Sequence, residues 1–152
     1  MRVKLEWLKE LVDLEAIAPE EIVKTLSLYS IEVEAVEKVV EGSNLVVGLV
    51  LTCQPHPDSD HLSLCTVDVG NETLQIVCGA PNVRQGQYVI VAKEGAVLPG
   101  GLKIKRTKIR GVESRGMICS LSEIGMEKKY ILPEYQDGIY YFKQNVEVGT
   151  DA

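Results

Sequence analysis

Leu45-Val-Val-Gly-Leu-Val-Leu-Thr-Cys53 opens the longest apolar run of the chain, Leu45 to Leu51, which is far too short to span a bilayer. It reads as a strongly formed strand with a glycine, Gly48, set inside it. A glycine in the interior of such a strand marks a bulge or a sharp bend, as the closing of a small barrel requires. Outward from it, further short strands are expected at Leu62–Val69, Leu74–Val77, Tyr88–Ala92, Lys103–Ile109 and Ile139–Phe142, separated by Gly, Pro, Asn and Asp. Within them Val67-Asp-Val-Gly-Asn-Glu-Thr-Leu-Gln-Ile76 reads as a hairpin turning at Gly70-Asn71. Short strands joined by loops in these numbers are most economically a five-stranded β-barrel of the OB type.

The residues before this run have another character. Leu5, Leu8, Leu11 and Val12 follow a spacing of three and four, which predicts one or two turns of a small docking helix beside Trp7. Pro19 suits a first helical position and Glu20 and Glu21 the positive end of the helix dipole. Ile22, Val23, Leu26 and Tyr29 or Ser30 form the inner stripe, and the cap position falls on Ala18, a poor cap. Ile31-Glu-Val-Glu-Ala35 alternates apolar and acidic residues and predicts a half-exposed strand, before Glu41-Gly-Ser-Asn44 breaks the pattern. The expected class is therefore α+β: a small helix/strand domain over 1–43 and an OB-type barrel over 44–152. Charge divides along similar lines: residues 1–43 carry five bases and ten acids, residues 44–125 eight and seven, and residues 126–152 three and five, within an overall net charge of −6.

Six of the sixteen Lys and Arg residues fall between positions 103 and 115, with Glu113 the single acid among them: Lys103, Lys105, Arg106, Lys108, Arg110 and Arg115. A basic stripe on an acidic chain points to a polyanion; its plainer alternative is a solvated edge that keeps the sheet soluble. The stripe cannot be one flat face. Lys103 and Lys105 share parity with Ile109, whereas Arg106, Lys108 and Arg110 share parity with Ile104, so a bulge or turn is required near Arg106 and Thr107. With one Trp and one Phe against six Tyr, the chain has little material for a base-stacking platform.

Other chemistries fit less well. Cys53, Cys65, Cys78 and Cys119 are widely and irregularly spaced, as reduced buried thiols are. Cys53-x-x-His56 and His61-x-x-x-Cys65 have zinc-like spacing, but Cys65 alternates with Val67 and Val69 into a core and His56 lies between prolines in a loop, where it is expected to bond locally. Cys78-Gly-Ala-Pro-Asn82 reads as a barrel-corner turn with Gly79 in an unusual backbone conformation, rather than as an activated nucleophile, because no base accompanies it. Asn82 and Arg84 lie on a loop where OB barrels commonly bind ligands. Gly95 to Lys103 lacks the Gly-Lys-Ser/Thr ending of a phosphate loop, and Ser114, Ser120 and Ser122 have only His56 and His61 as candidate partners, so hydrolase chemistry is unsupported. Leu121–Gly125 is expected to be one helical turn stopped by glycine. The start, Met1-Arg-Val-Lys-Leu-Glu, has no uninterrupted apolar core of a signal peptide, and a soluble cytoplasmic protein is expected.

Trp7-Leu-Lys-Glu, His56-Pro-Asp-Ser-Asp-His-Leu, Gln75-Ile-Val-Cys-Gly-Ala-Pro-Asn-Val and the segment Gly95–Ser120 together resemble the start of the bacterial phenylalanyl-tRNA synthetase beta subunit, over essentially the whole chain. From Leu45 onward the chain also resembles the OB-type tRNA-binding domains attached to methionyl-tRNA synthetases and found as free-standing proteins. The resemblance implies a fragment of a longer subunit with neither catalytic nor editing domain. By the same resemblance its partners are tRNA, the alpha subunit and the remainder of the beta subunit, and ATP and magnesium belong to the whole enzyme, with no cofactor, metal or catalytic residue in this part. The expected tRNA contacts are Lys103, Lys105, Arg106, Lys108, Arg110 and Arg115, with Arg84 and Asn82 on a neighbouring loop. His61 stands where a lysine is more usual, and Tyr29-Ser30 where a small residue and a glycine commonly stand. Two alternatives remain beside the RNA-contact reading: a purely structural scaffold within the synthetase, and a free-standing homodimeric tRNA-binding protein.

Overall fold

The computed structural model describes residues 3–14, 16–36 and 42–152. The chain divides into two units, Met1–Glu37 and Lys38–Ala152. Of the expected break at 41–44, Glu41 lies outside the described residues, as does Lys38.

In the first unit, helices α1 (Leu5–Leu11) and α2 (Pro19–Tyr29) form where the apolar spacing places them. Pro19 occupies the first turn of α2 beside Glu20 and Glu21, and Ala18 supplies no side-chain cap. Ile22, Val23 and Leu26 are half-buried, Tyr29 is exposed, and no residue of α2 is buried. Residues 31–36 carry no strand: the Val33 amide donates to Ser27 Oγ at 3.3 Å, and Ile31 is exposed. The strand expected at Ile31–Ala35 is therefore corrected. Alternation supplies a two-faced segment, but a strand exists only in a ladder, and no partner strand stands beside this one among the described residues.

The second unit is a nearly closed antiparallel barrel. Its main strands are β1 (Leu45–Pro55), β2 (Ser63–Asp68), β3 (Thr73–Cys78) and β4 (Tyr88–Lys93). Two small hairpins follow, β5 (Val97–Leu98) with β6 (Leu102–Lys103) and β7 (Thr107–Ile109) with β8 (Val112–Ser114), and then β9 (Gly116–Ile118) and β10 (Tyr141–Phe142). The sheet runs β10-β4-β1-β2-β3, with β9 also on β4. The first half of β1 pairs with β4 and the second half with β2. Residues 149–152 lie along the start of β1: the Gly149 and Ala152 amides donate to the Val47 and Leu45 carbonyls, and the Val47 amide to Thr150 O.

Closure between β3 and the β8–β9 segment is made by one backbone bond and by side chains. The Arg115 amide donates to Gln75 O (2.8 Å), Gln75 Nε2 donates to Glu113 O (2.8 Å), and the Val77 amide donates to Ser114 Oγ (3.1 Å). Ser114 is buried, and its hydroxyl in turn donates to Gly116 O at 3.1 Å. The two backbones are thus sewn together where a full ladder does not form.

The bulge in β1 lies at Leu51, between the registers Val50↔Val67 and Thr52↔Thr66, three residues beyond the glycine expected to mark it. Gly48 stays in register with Val89. Its role is close packing, because a Cβ there would come within 2.7 Å of methyls of both Val67 and Val91. The 68–73 connection turns at Gly70 (φ 92°), as the hairpin reading requires, with Gly70 N donating to Asp68 Oδ1.

Two apolar clusters result. The barrel interior holds Val50, Val67, Leu74, Ile76, Val89 and Val91 among others. A second cluster on the outer side of β4 gathers Leu45, Ile90 and Ala92 with Leu98, Ile104, Ile124, Ile131 and Tyr135. β4 is buried on both faces, so its sequence is continuously apolar rather than alternating.

Candidate nucleic-acid interface

The basic segment breaks where parity demanded. Lys103 ends β6; Ile104 turns inward, exchanging backbone hydrogen bonds with the Gly95–Ala96 segment; Lys105 and Arg106 lie outside any strand; Thr107 begins β7. β7 and β8 are joined by Arg110 and Gly111, whose φ values of 48° and 80° are those a two-residue type I′ turn requires. Arg110 therefore sits at a hairpin tip and not on a strand face with Arg106 and Lys108, as its parity suggested.

His56 anchors this hairpin. Its imidazole is buried, Nδ1 accepts from the Asp58 amide (3.0 Å), and Nε2 lies 3.1 Å from Ile109 O. An Nδ1 that accepts places the ring proton on Nε2, which donates to Ile109 O. Both nitrogens are spent on the backbone, one of them on the hairpin 53 residues away, so the local bonding expected of His56 extends further than its own loop. Arg110 Nη1 adds a bond to Asp58 O at 3.3 Å. The loop after β1 and the β7–β8 hairpin are thereby fastened to one another.

The expected contact residues differ in how free their charges are. Lys103, Lys105 and Lys108 are exposed and have no anionic partner among the described residues. Arg106 Nη2 meets Glu113 Oε2 at 2.6 Å, a pair that pushes the Arg106 pKa up through its hydrogen bond. Arg115 shares Glu72 with Lys93, at 3.4 and 3.3 Å, and its buried Nε has no partner. Arg84 folds Nη1 back onto Pro81 O and Val83 O. Asn82 spends its whole amide on one residue: Nδ2 donates to Ile139 O and Oδ1 accepts from Ile139 N, both at 2.9 Å.

The thiols are quiet. Cys53 and Cys65 face each other across β1 and β2, and burial, followed by the neighbouring Cys53, pushes the Cys65 thiol far up. Burial raises Cys78 and pushes Cys119 up to about 12. Gly79 keeps an ordinary backbone, against the unusual one expected, and the turn after β3 is held instead by Asn82. Pro99-Gly100-Gly101 is the turn of the β5–β6 hairpin, with Gly100 and Gly101 at φ 81° and 79°. Ser120 and Glu123 cap the 121–125 turn reciprocally, Glu123 N donating to Ser120 Oγ and Ser120 N to Glu123 Oε2. Among the described residues no helix is long and apolar enough to cross a membrane.

A five-strand antiparallel barrel with a basic hairpin fastened over one end defines an OB-type nucleic-acid-binding domain. Residues 45–151 match the family model described as "Putative tRNA binding domain", and the chain belongs to that family. Over its whole length it is similar to proteins named phenylalanine–tRNA ligase beta subunit. It is 54% identical to that of Oceanobacillus iheyensis over 99% of this chain, 52% identical to that of Halalkalibacterium halodurans over 100%, and 48% identical to that of Bacillus subtilis over 100%. The chain spans 19% of the length of each of these relatives. Among solved structures, a MetRS related protein from Pyrococcus horikoshii superimposes with a TM-score of 0.50 over 71% of this chain and 87% of that one, at 24% identity, a likeness of fold.

Sequence reasoning passed over Lys128-Lys129-Tyr130. This short 3-10 turn carries an aromatic ring that is 53% exposed, with Lys129 Nζ 4.8 Å from its centroid. The signal was present as two lysines beside a tyrosine, but it lies outside the densest charge.

Proposed function

We propose that this chain is the tRNA-contacting and architectural part of a phenylalanine–tRNA ligase beta subunit, working in the cytoplasm with the remainder of that subunit, an alpha subunit and tRNA. What carries the reading is the family match over the barrel, joined to three lysines, Lys103, Lys105 and Lys108, that no carboxylate neutralises among the described residues. With Arg110 at the hairpin tip they offer phosphate contacts that gain chiefly by releasing counterions. Arg106 joins by exchanging Glu113 for phosphate. Arg84 and Arg115 contribute field, and Asn82 shapes the loop beside them. The chain contributes no catalytic residue and no cofactor or metal ligand; ATP and magnesium serve the whole ligase elsewhere. A second role, as scaffold, is favoured by the first unit: among its described residues none is buried, and Trp7, Leu11, Val12, Leu28 and Tyr29 are all exposed. Such a surface is covered in a working assembly.

Titrating the purified chain with tRNA at about 20 mM salt, where screening is weak, tests the first role, which predicts saturable binding that is lost on adding salt. Supplying phenylalanine, ATP and tRNA tests the absence of catalysis: charging above a no-protein blank overturns it.

A further inference from the structure

Among the described residues of the barrel unit, five large apolar side chains stand exposed: Leu51, Val97, Leu102, Tyr130 and Leu132. All but Leu51 border the second cluster. Ile104 and Ile131 are buried in that cluster together, while the residues on either side of each, Lys103 and Lys105, Tyr130 and Leu132, are exposed. The surface above the cluster therefore sets an aromatic ring and leucine side chains among ammonium groups. Tyr130 is held on its turn by Tyr130 N donating to Glu127 O (2.9 Å) and Ile131 N to Lys128 O (3.1 Å). The nearest acid on this turn, Glu127, is already paired with Lys129 at 2.5 Å, whereas Lys103, Lys105 and Lys128 have no anionic partner among the described residues.

We propose that this surface is a single-stranded RNA subsite, separate from the β7–β8 hairpin, in which Tyr130 stacks on an unpaired base while Lys103, Lys105 and Lys128 meet the flanking phosphates. It rests on the reading that the barrel binds tRNA. Unpaired RNA has the composition this surface calls for, flat apolar faces repeated between negative charges, and aromatic stacking accepts any base. A duplex buries its base faces and has nothing to offer Tyr130, so the subsite selects loops and ends of a folded RNA.

The test compares wild type, Tyr130→Ala, Tyr130→Phe and the hairpin control Lys108→Glu/Arg110→Glu, measured by fluorescence anisotropy. The probes are tRNA, an unstructured oligoribonucleotide of roughly ten nucleotides, within the span of about 4–16 that an OB fold covers, and a duplex of the same length. Tyr130→Ala weakens binding of the single strand by roughly 5- to 150-fold, the value of one aromatic–base stack, and leaves the duplex unchanged; Tyr130→Phe retains the wild-type affinity. The hairpin control weakens all three probes. Equal single-strand affinity of Tyr130→Ala and wild type, or equal losses on single strand and duplex, overturns the subsite while leaving tRNA binding standing. Unchanged RNA affinity with a changed oligomer size assigns the surface to protein contact and overturns it too. A wild-type chain that binds no RNA overturns the parent reading and this inference with it.

Discussion

Replacing Asn82 with alanine removes two hydrogen bonds that together hold the loop after β3 to the backbone of Ile139, 57 residues away. Ile139 is only 2% exposed, so water does not readily take over its amide and carbonyl. A net contribution of about 1 kcal/mol per bond, with a further penalty for leaving buried groups unpaired, brings the cost to about 2–4 kcal/mol. With an m-value of about 1–3 kcal/mol/M, the urea midpoint falls by roughly 1–2 M. Asn82→Asp is the sharper variant: it keeps an acceptor for Ile139 N but turns an oxygen onto Ile139 O, and destabilises to a similar extent. Gly138→Ala attacks the same lock from the other side, because its Cβ would land on the Asn82 amide. Equilibrium unfolding followed by circular dichroism measures all three, and tRNA titration well below the midpoint separates pin from contact. A loss under about 0.5 kcal/mol for Asn82→Ala, in the range of ordinary surface substitutions, refutes the pin. Weakened tRNA binding at unchanged stability refutes it as well, and makes Asn82 an RNA contact.

Ser114→Ala leaves the Val77 amide without its partner at the barrel seam and costs about 1–3 kcal/mol in the same unfolding measurement; a neutral result means that the seam does not depend on the hydroxyl. The buried thiols make stability fall in alkali. Cys119 keeps its proton to about 12 in the folded chain but loses it near 9 once unfolded, so its contribution is complete below pH 9. Between 9 and 12 it declines by up to about 1.4 kcal/mol per pH unit. Comparison of Cys119→Ala with wild type at pH 8 and 10.5 isolates this slope, and the buried thiols alkylate slowly in the native chain at pH 8 but fully in denaturant.

The barrel strands were readable because each is bounded by turn residues and faces a core. Tyr88–Ala92 was plain because burial on both faces leaves no polar residue to interrupt it. The hairpin at Gly70 was marked by its own turn chemistry. Gly116–Ile118 escaped because three residues carry no period, and its place is fixed by β4. Ile31–Ala35 misled in the opposite way: alternation describes two faces but not a partner. In the site, the positions of the positive charges were legible, and even the break near Arg106 followed from parity. Their pairings were not, because Glu72 reaches Arg115 from 43 residues away, and Asn82 looks the same in sequence whether it pins a loop or touches a ligand. Tyr130 was invisible as a site because its exposure depends on Ile131 entering a core built by β4 and β5.

The central claim, that the freed lysines form a tRNA contact, is tested by salt-dependent binding of two charge-matched variants. One carries Lys103→Glu, Lys105→Glu and Lys108→Glu on the barrel; the other carries Lys4→Glu, Lys9→Glu and Lys24→Glu on the helical unit. Contacts to about four phosphates give the wild-type chain a slope of log K against log salt of roughly −3 to −4. The account predicts that the barrel variant loses about 2–3 of that slope, at roughly 0.7–0.9 per phosphate, while the helical variant keeps nearly all of it. Equal losses from the two variants would contradict it, since net charge alone would then account for the binding.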